Sequence, residues 1–273
     1  MKKWLAIICS VAVLLRIIIP AHAVFSGGVI NFLGPDSYWR MNNARLLTES
    51  GHYGLNYDTL LAFMGNASII IPVIFSVAVI LMVYFMTRRL FNEKAGLFAA
   101  GFLALWPGEF MARTFLGAVD HHALESLMTT LIACIVFYVI TQPRILSWRS
   151  LCGIAIVAGV FIAYKSIWPN MLLPVIDQPV EIWHTNSETM PLAQSANYIP
   201  QLTFVLACIS GFILVKFYKS WRKWILLLWT AGALLLTIYQ VRFDYYLVIP
   251  VAIMMGYWLD RMAQPKLVLR KVK

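Results

Sequence analysis

The stretch Arg113-Thr-Phe-Leu-Gly-Ala-Val-Asp120-His-His122-Ala-Leu-Glu125 lies between two long apolar segments, Ala95 to Ala112 and Ala123 to Ile140. Ionisable groups at a membrane boundary are costly to desolvate, so an arginine, a carboxylate and imidazoles placed there need a reason. A carboxylate and a neutral imidazole two residues on can both ligate a divalent metal. A further acid, Asp36 in Gly34-Pro35-Asp36-Ser37-Tyr38-Trp39, follows another apolar segment. If the topology puts these groups on one side of a bilayer, they can share a site.

Working outward, the composition sets the class. The chain is 61% hydrophobic and 12% charged, with a mean hydropathy of +0.76, which lies outside the range of soluble domains. The expectation is an all-α polytopic membrane protein. Eight apolar segments are long enough to be read as spans, since a helix crosses a bilayer with about 17 to 25 residues: Trp4 to Phe25, Ala67 to Met86, Ala95 to Ala112, Ala123 to Ile140, Leu151 to Trp168, Ile199 to Phe217, Trp224 to Tyr239 and Tyr245 to Leu259. The last two are short. No repeat or linker divides the chain, so residues 1–273 read as a single transmembrane domain without a soluble core. Its long external loops are 26–66 and 169–198.

Charge placement supports this count. With the N-terminus inside, sixteen of the twenty-two Lys and Arg residues fall on cytoplasmic pieces, as basic residues in short loops favour. The acids do the reverse: only Glu93 and Asp260 fall inside, so Asp36, Asp120 and Glu188 share the external compartment. Both termini are therefore expected in the cytoplasm. The net charge of +10 is dispersed over loop ends, which speaks for orientation and anionic lipid and against nucleic acid. Cys9, Cys134, Cys152 and Cys208 fall in predicted spans without metal-type spacing and read as packing. Met1 to Ala23 imitates a secretory signal, but Arg16 interrupts the apolar run, and an uncleaved first helix is the favoured reading.

Each candidate residue has a plainer reading. Asp36 opens a predicted surface helix over Ser37 to Leu47, and Asp120 precedes the fourth span, so either is a natural N-cap. The combination with His122 argues for more, because residues two apart do not face each other along a helix and converge only at its entrance. Carboxylates suit Mg2+ or Mn2+, and an imidazole shifts the preference toward Mn2+ or a later metal. His121 and Glu125, four apart, read as a helical pair with a packing or hydrogen-bonding role.

Five matches in order resemble the membrane part of the catalytic subunit of oligosaccharyltransferase, most closely its archaeal and bacterial single-subunit forms. They are Gly34 to Trp39; Tyr84 to Gly96 across a cytoplasmic turn; Arg113-Thr114 through Asp120-His121-His122-Ala-Leu-Glu125; Ser187-Glu188; and Arg242-Phe243-Asp244-Tyr245-Tyr246. Asp-His-His is fairly specific, and Ser-Glu alone is weak. The resemblance implies a compact version of the GT-C glycosyltransferase membrane domain, in the cell's plasma or inner membrane, with an extracytoplasmic active site.

It also implies roles. Asp36, Asp120 and His122 match metal ligands for Mn2+ or Mg2+, and Asp36, Asp120 and Glu188 match the catalytic acids. Arg242 matches the arginine that holds the lipid diphosphate, a fit of guanidinium fork to phosphate oxygens, with pairing to Asp244 as its plainer reading. Arg113 either contacts the acceptor or buttresses Asp120.

The implied activity is metal-dependent, inverting transfer of an oligosaccharide from a polyprenyl-diphosphate lipid to an acceptor polypeptide, at asparagine. The family's C-terminal extracytoplasmic domain, with its Trp-Trp-Asp-Tyr-Gly motif, is expected to be absent, which leaves room for a separate acceptor-recognition subunit. Two alternatives remain: a transferase using a polyprenyl-monophosphate sugar, and a silent or partner-dependent remnant. Transport is weaker, because the ionisable groups cluster in external loops rather than at midplane.

Overall fold

The computed structural model describes residues 2–51, 57–140 and 198–263, without the side chains of Ile140 and Arg242. All regular structure among them is helical: α1 (Lys2–Val24), α2 (Pro35–Ser50), α3 (Tyr57–Met64), α4 (Ile71–Leu90), α5 (Glu93–Leu105), α6 (Glu109–Ala112), α7 (His122–Ile140), α8 (Tyr198–Phe217), α9 (Arg222–Tyr239) and α10 (Asp244–Met262), with short 3-10 turns. Backbone groups in a bilayer must be satisfied internally, and helices meet that demand span by span. Five helical segments are long and apolar enough to cross a membrane: Lys2–Val24, Tyr57–Leu90, His122–Val139, Tyr198–Phe217 and Arg222–Tyr239. The expected span Leu151 to Trp168 lies outside the described residues.

The segment expected to cross as Ala95 to Ala112 is not one helix. α5 stops at Leu105, Trp106 is extended, and α6 is a separate turn. Pro107 accounts for the break, because its ring bars the preceding residue from helical geometry and it carries no N–H for the next turn. A helix is present over the expected Ser37 to Leu47 and is longer, as α2.

The chain divides into two compact units. The first comprises Met1–Cys9, Ile80–Phe110 and Gln178–Lys273. Its axis is α10, which is buried almost along its whole length and packs against α5, α8 and α9. Gly256 permits the approach to α5: a Cβ there would overlap the Ala95 carbonyl oxygen and sit 2.7 Å from the Ala99 Cβ. Small residues at such crossings let helices approach closely where lipid offers no hydrophobic drive.

The α4–α5 turn is fixed by polar contacts. The Asn92 side chain caps α5 by accepting from the Ala95 N–H at 2.9 Å and donates to Asp260 Oδ2 at 2.7 Å. Tyr218 donates its hydroxyl to the Leu90 carbonyl at 2.8 Å, inside a cluster of Phe91, Tyr218 and Tyr257 rings.

The second unit comprises Ser10–Val79 and Met111–Asp177. Two apolar clusters hold it together, one around Tyr57, Leu61, Ile71 and Val119, the other around Val24, Val73 and Leu116. Val119 and Leu116 come from the segment before α7, so the polar stretch quoted first is anchored by its own apolar residues.

Candidate metal centre

Three chain segments pin the backbone leading to Asp120. The Leu116 N–H donates to the Arg16 carbonyl at 2.9 Å, the Gly117 N–H to Ile69 at 3.0 Å, and the Gly117 carbonyl accepts from Leu33 at 2.8 Å. Gly117 adopts φ +82°, and a Cβ there would come within 2.9 Å of Val24, so the position needs glycine for conformation and for space. Arg16, fully buried in α1, donates from Nε to the Thr114 hydroxyl at 2.9 Å. The interruption noted in the first apolar run therefore clamps α1 to the site loop.

At the entrance of α7 the Asp120 carboxylate, buried, is surrounded by donors. Oδ1 accepts from the His121 backbone N–H at 2.6 Å and lies 2.5 Å from His121 Nδ1. Oδ2 faces His122 Nε2 at 3.3 Å and Arg113 Nη1 at 3.6 Å. Asp120 is thus not the helix cap that its position suggested: its carboxylate engages the adjacent N–H and two imidazoles. Burial works to raise its pKa, but the His121 hydrogen bond and both nearby imidazoles outweigh that and hold it well below the usual carboxylate range.

Glu125, fully buried one turn into α7, meets His122 Nδ1 at 3.0 Å and lies 3.7 Å from His121 Nε2. A carboxylate at Nδ1 keeps the proton on that nitrogen and leaves the Nε2 lone pair for a metal, the usual outer-shell arrangement for a ligating histidine. The pair of His121 and Glu125 expected from spacing is present at 3.7 Å, and the shorter contact goes to His122. Arg40 of α2 donates to both Asp58 oxygens at 3.3 and 3.4 Å and approaches His121 Nδ1 at 3.2 Å. Tyr57, also buried, lies close enough to feel the Asp120, Arg40 and Asp58 charges.

One ligand atom from each of Asp120, His121 and His122 lies within 4.8 Å of the others. The donor set suits a divalent ion, and Asp120 Oδ2 is buried with no hydrogen-bond donor committed to it. A carboxylate with two imidazoles tilts selection away from Mg2+ toward Mn2+ or later metals. Asp36 is exposed in the first turn of α2, where Gly34 holds the N-cap position, and it does not belong to this cluster. Glu188 lies outside the described residues. Arg242 is in the 3-10 turn Val241–Phe243 that leads into α10, its side chain outside the description.

His121, Glu125 and Arg40 join a centre that the sequence assigned to Asp36, Asp120 and His122, of which Asp36 lies outside it. A signal existed for Glu125, three and four residues beyond the two histidines. None existed for Arg40, 81 positions from His121.

The sequence model described as Oligosaccharyl transferase STT3, N-terminal, matches residues 63–259. Over 56 residues the chain is 45% identical to Dolichyl-phosphooligosaccharide-protein glycotransferase 3 of Archaeoglobus fulgidus, covering 20% of this chain and 6% of that protein. Crystal structures of an oligosaccharyltransferase from that organism share the fold. The complex with Zn and sulfate gives a TM-score of 0.72 at 18% identity. The form tethered to an acceptor peptide containing an NVT sequon gives 0.70 at 16%. Each comparison covers 98% of this chain and 50% of the solved one, so the chain spans about half the length of those relatives. With 197 consecutive positions matched (63 to 259 inclusive), the chain belongs to the STT3 family of oligosaccharyl transferases, through its N-terminal membrane region.

Proposed function

We propose that this chain carries the metal-dependent, inverting glycosyl-transfer site of an oligosaccharyltransferase, moving an oligosaccharide from a polyprenyl-diphosphate lipid to an asparagine of a polypeptide on the extracytoplasmic side. The observation that carries this reading is the Asp120, His121 and His122 cluster with Glu125 on His122 Nδ1. In a family of glycosyl-transfer enzymes, a prepared divalent site points to a diphosphate leaving group. Related structures hold an acceptor peptide in one case and an inhibitory peptide with dolichol-phosphate in another.

In this reading Asp120 and His122 hold the ion, and His121 stands close enough to contribute. A bound divalent cation would neutralise charge developing on the leaving diphosphate. The chain's own groups divide the remaining work. Arg242 engages the diphosphate oxygens as a guanidinium fork. Asp36 and Glu188 accept hydrogen bonds from the acceptor amide, whose nitrogen is otherwise a poor nucleophile, and hold it opposite the leaving group so that the anomeric carbon inverts. The ion pair of Arg113 with Asp120 at 3.6 Å favours a buttressing role over acceptor contact.

The test is incubation of the purified chain with radiolabelled lipid-linked oligosaccharide, Mn2+ or Mg2+, and a sequon peptide or water, beside Asp120→Ala. Metal-dependent label on the peptide, absent in the variant, is the expected result. No turnover by the chain alone, with turnover restored by a co-purified subunit, would overturn the reading of a self-sufficient site.

A further inference from the structure

A cavity of about 860 Å3 lies in the first unit, along one face of α5 between the start of α1 and the end of α10. We propose that it seats an acyl chain of an anionic glycerophospholipid, with the lipid phosphate at Lys94. The inference rests on the sidedness read from charge placement and extends it to a lipid site.

The wall of the cavity selects the ligand class. Apart from Lys94 it is apolar, with Phe98 and Gly101 from α5, Trp106 just after it, Ile8 from α1 and Leu259 from α10 among its residues. A sugar or a peptide backbone would be stranded there without hydrogen-bond partners, whereas a hydrocarbon chain needs none. From Lys94 to Leu105 the α5 face is about 16 Å long at 1.5 Å per residue. Gly101 opens the middle: a Cβ there would meet only the Ile8 Cδ1, at 3.9 Å.

Charge selects the headgroup. Lys94 is exposed at the first turn of α5, and Lys2, Lys3, Arg88 and Arg89 lie exposed at the ends of α1 and α4. The acids in these terminal turns of α5 and α10, Glu93 and Asp260, already accept bonds from Tyr84 and Asn92. The rim is therefore net basic. By the positive-inside argument it faces the leaflet rich in anionic phospholipid, away from the side where the polyprenyl donor reacts.

The experiment is native mass spectrometry of the full chain in detergent, titrated with phosphatidylglycerol, phosphatidylcholine of the same acyl chains, and polyprenyl phosphate. One phosphatidylglycerol should be retained at least about fivefold better than phosphatidylcholine. Lys94→Gln should bring the two to parity, and Gly101→Leu, which fills the cavity, should lower retention of both. Equal retention of the two phospholipids by the wild type would overturn the proposal as non-selective solvation of an apolar face. Stronger retention of polyprenyl phosphate, lost in Gly101→Leu, would overturn the assigned occupant. Neither result bears on transfer at Asp120, which is read out by label on peptide.

Discussion

Glu125 fixes which nitrogen of His122 is free, and that makes it the residue whose loss separates metal binding from folding. Glu125→Gln keeps the volume but weakens the hydrogen bond at Nδ1, so Mn2+ affinity should fall about 10- to 100-fold while the helical spectrum is unchanged. Titration of Mn2+ followed by electron paramagnetic resonance checks this, and an unaltered affinity would remove Glu125 from the site. Asp120 makes a pH prediction. Its folded pKa is depressed, so its contribution to stability is fully present above the unfolded carboxyl value near 3.8 and is lost as pH falls from there through the lower folded value. The gap in unfolding free energy between wild type and Asp120→Asn, measured without metal, should narrow as pH falls below about 4. A gap that stays constant through that acid range would show that Asp120 is not held down by its partners. The carboxylate and His122 were legible because their spacing made convergence possible only at a helix entrance. The Arg16–Thr114 bond spans 98 positions, and no local pattern reports a contact made by folding the chain back on itself. Thr114→Val deletes the acceptor for a buried guanidinium, a hydrogen bond worth about 1.5 to 3 kcal/mol. Unfolding in detergent should show that loss.

Between elements, glycine sets how closely α5 and α10 can approach. Gly256 of α10 sits against Ala95 and Ala99 of α5 with no room for a methyl group, and the obstacle includes backbone, which cannot rotate away. Gly256→Ala should therefore cost about 1 to 3 kcal/mol as overpacking, whereas Gly232→Ala in α9, where a Cβ meets nothing within 4 Å, should be neutral or slightly stabilising through helix propensity. Equal melting temperatures for the two variants would contradict tight α5–α10 packing. Apolar run length located the helices well, because crossing a bilayer demands both length and low polarity. It failed between α5 and α6, where hydropathy stays high across Trp106-Pro107-Gly108 while the backbone cannot stay helical. Hydropathy measures what the side chains tolerate, and Pro107 acts through the main chain.

At the scale of the molecule, sidedness is the property on which the proposed transfer depends, since an extracytoplasmic site requires Asp36 and Asp120 to face away from the basic loops. The physical argument is the cost of moving Lys and Arg across the bilayer during insertion, counted over short loops. The α8–α9 turn, with Lys219, Arg222 and Lys223 close together, is the strongest such determinant among the described residues, and the α2 end near Ser50 is the counterpart expected outside. Single cysteines at these two places, in a background with the four native cysteines replaced by serine, give a direct measurement. Ser50→Cys should react with a membrane-impermeant maleimide in intact cells or spheroplasts, and Ser220→Cys only after permeabilisation. The reverse pattern would invert the topology and place Asp120 on the cytoplasmic face, where an external asparagine could not be its acceptor. Adding two lysines beside Ser50 tests the cause: if basic loops set the orientation, that variant should lose part of its external labelling at Ser50→Cys, and unchanged labelling would mean that something other than loop charge fixes the fold across the membrane.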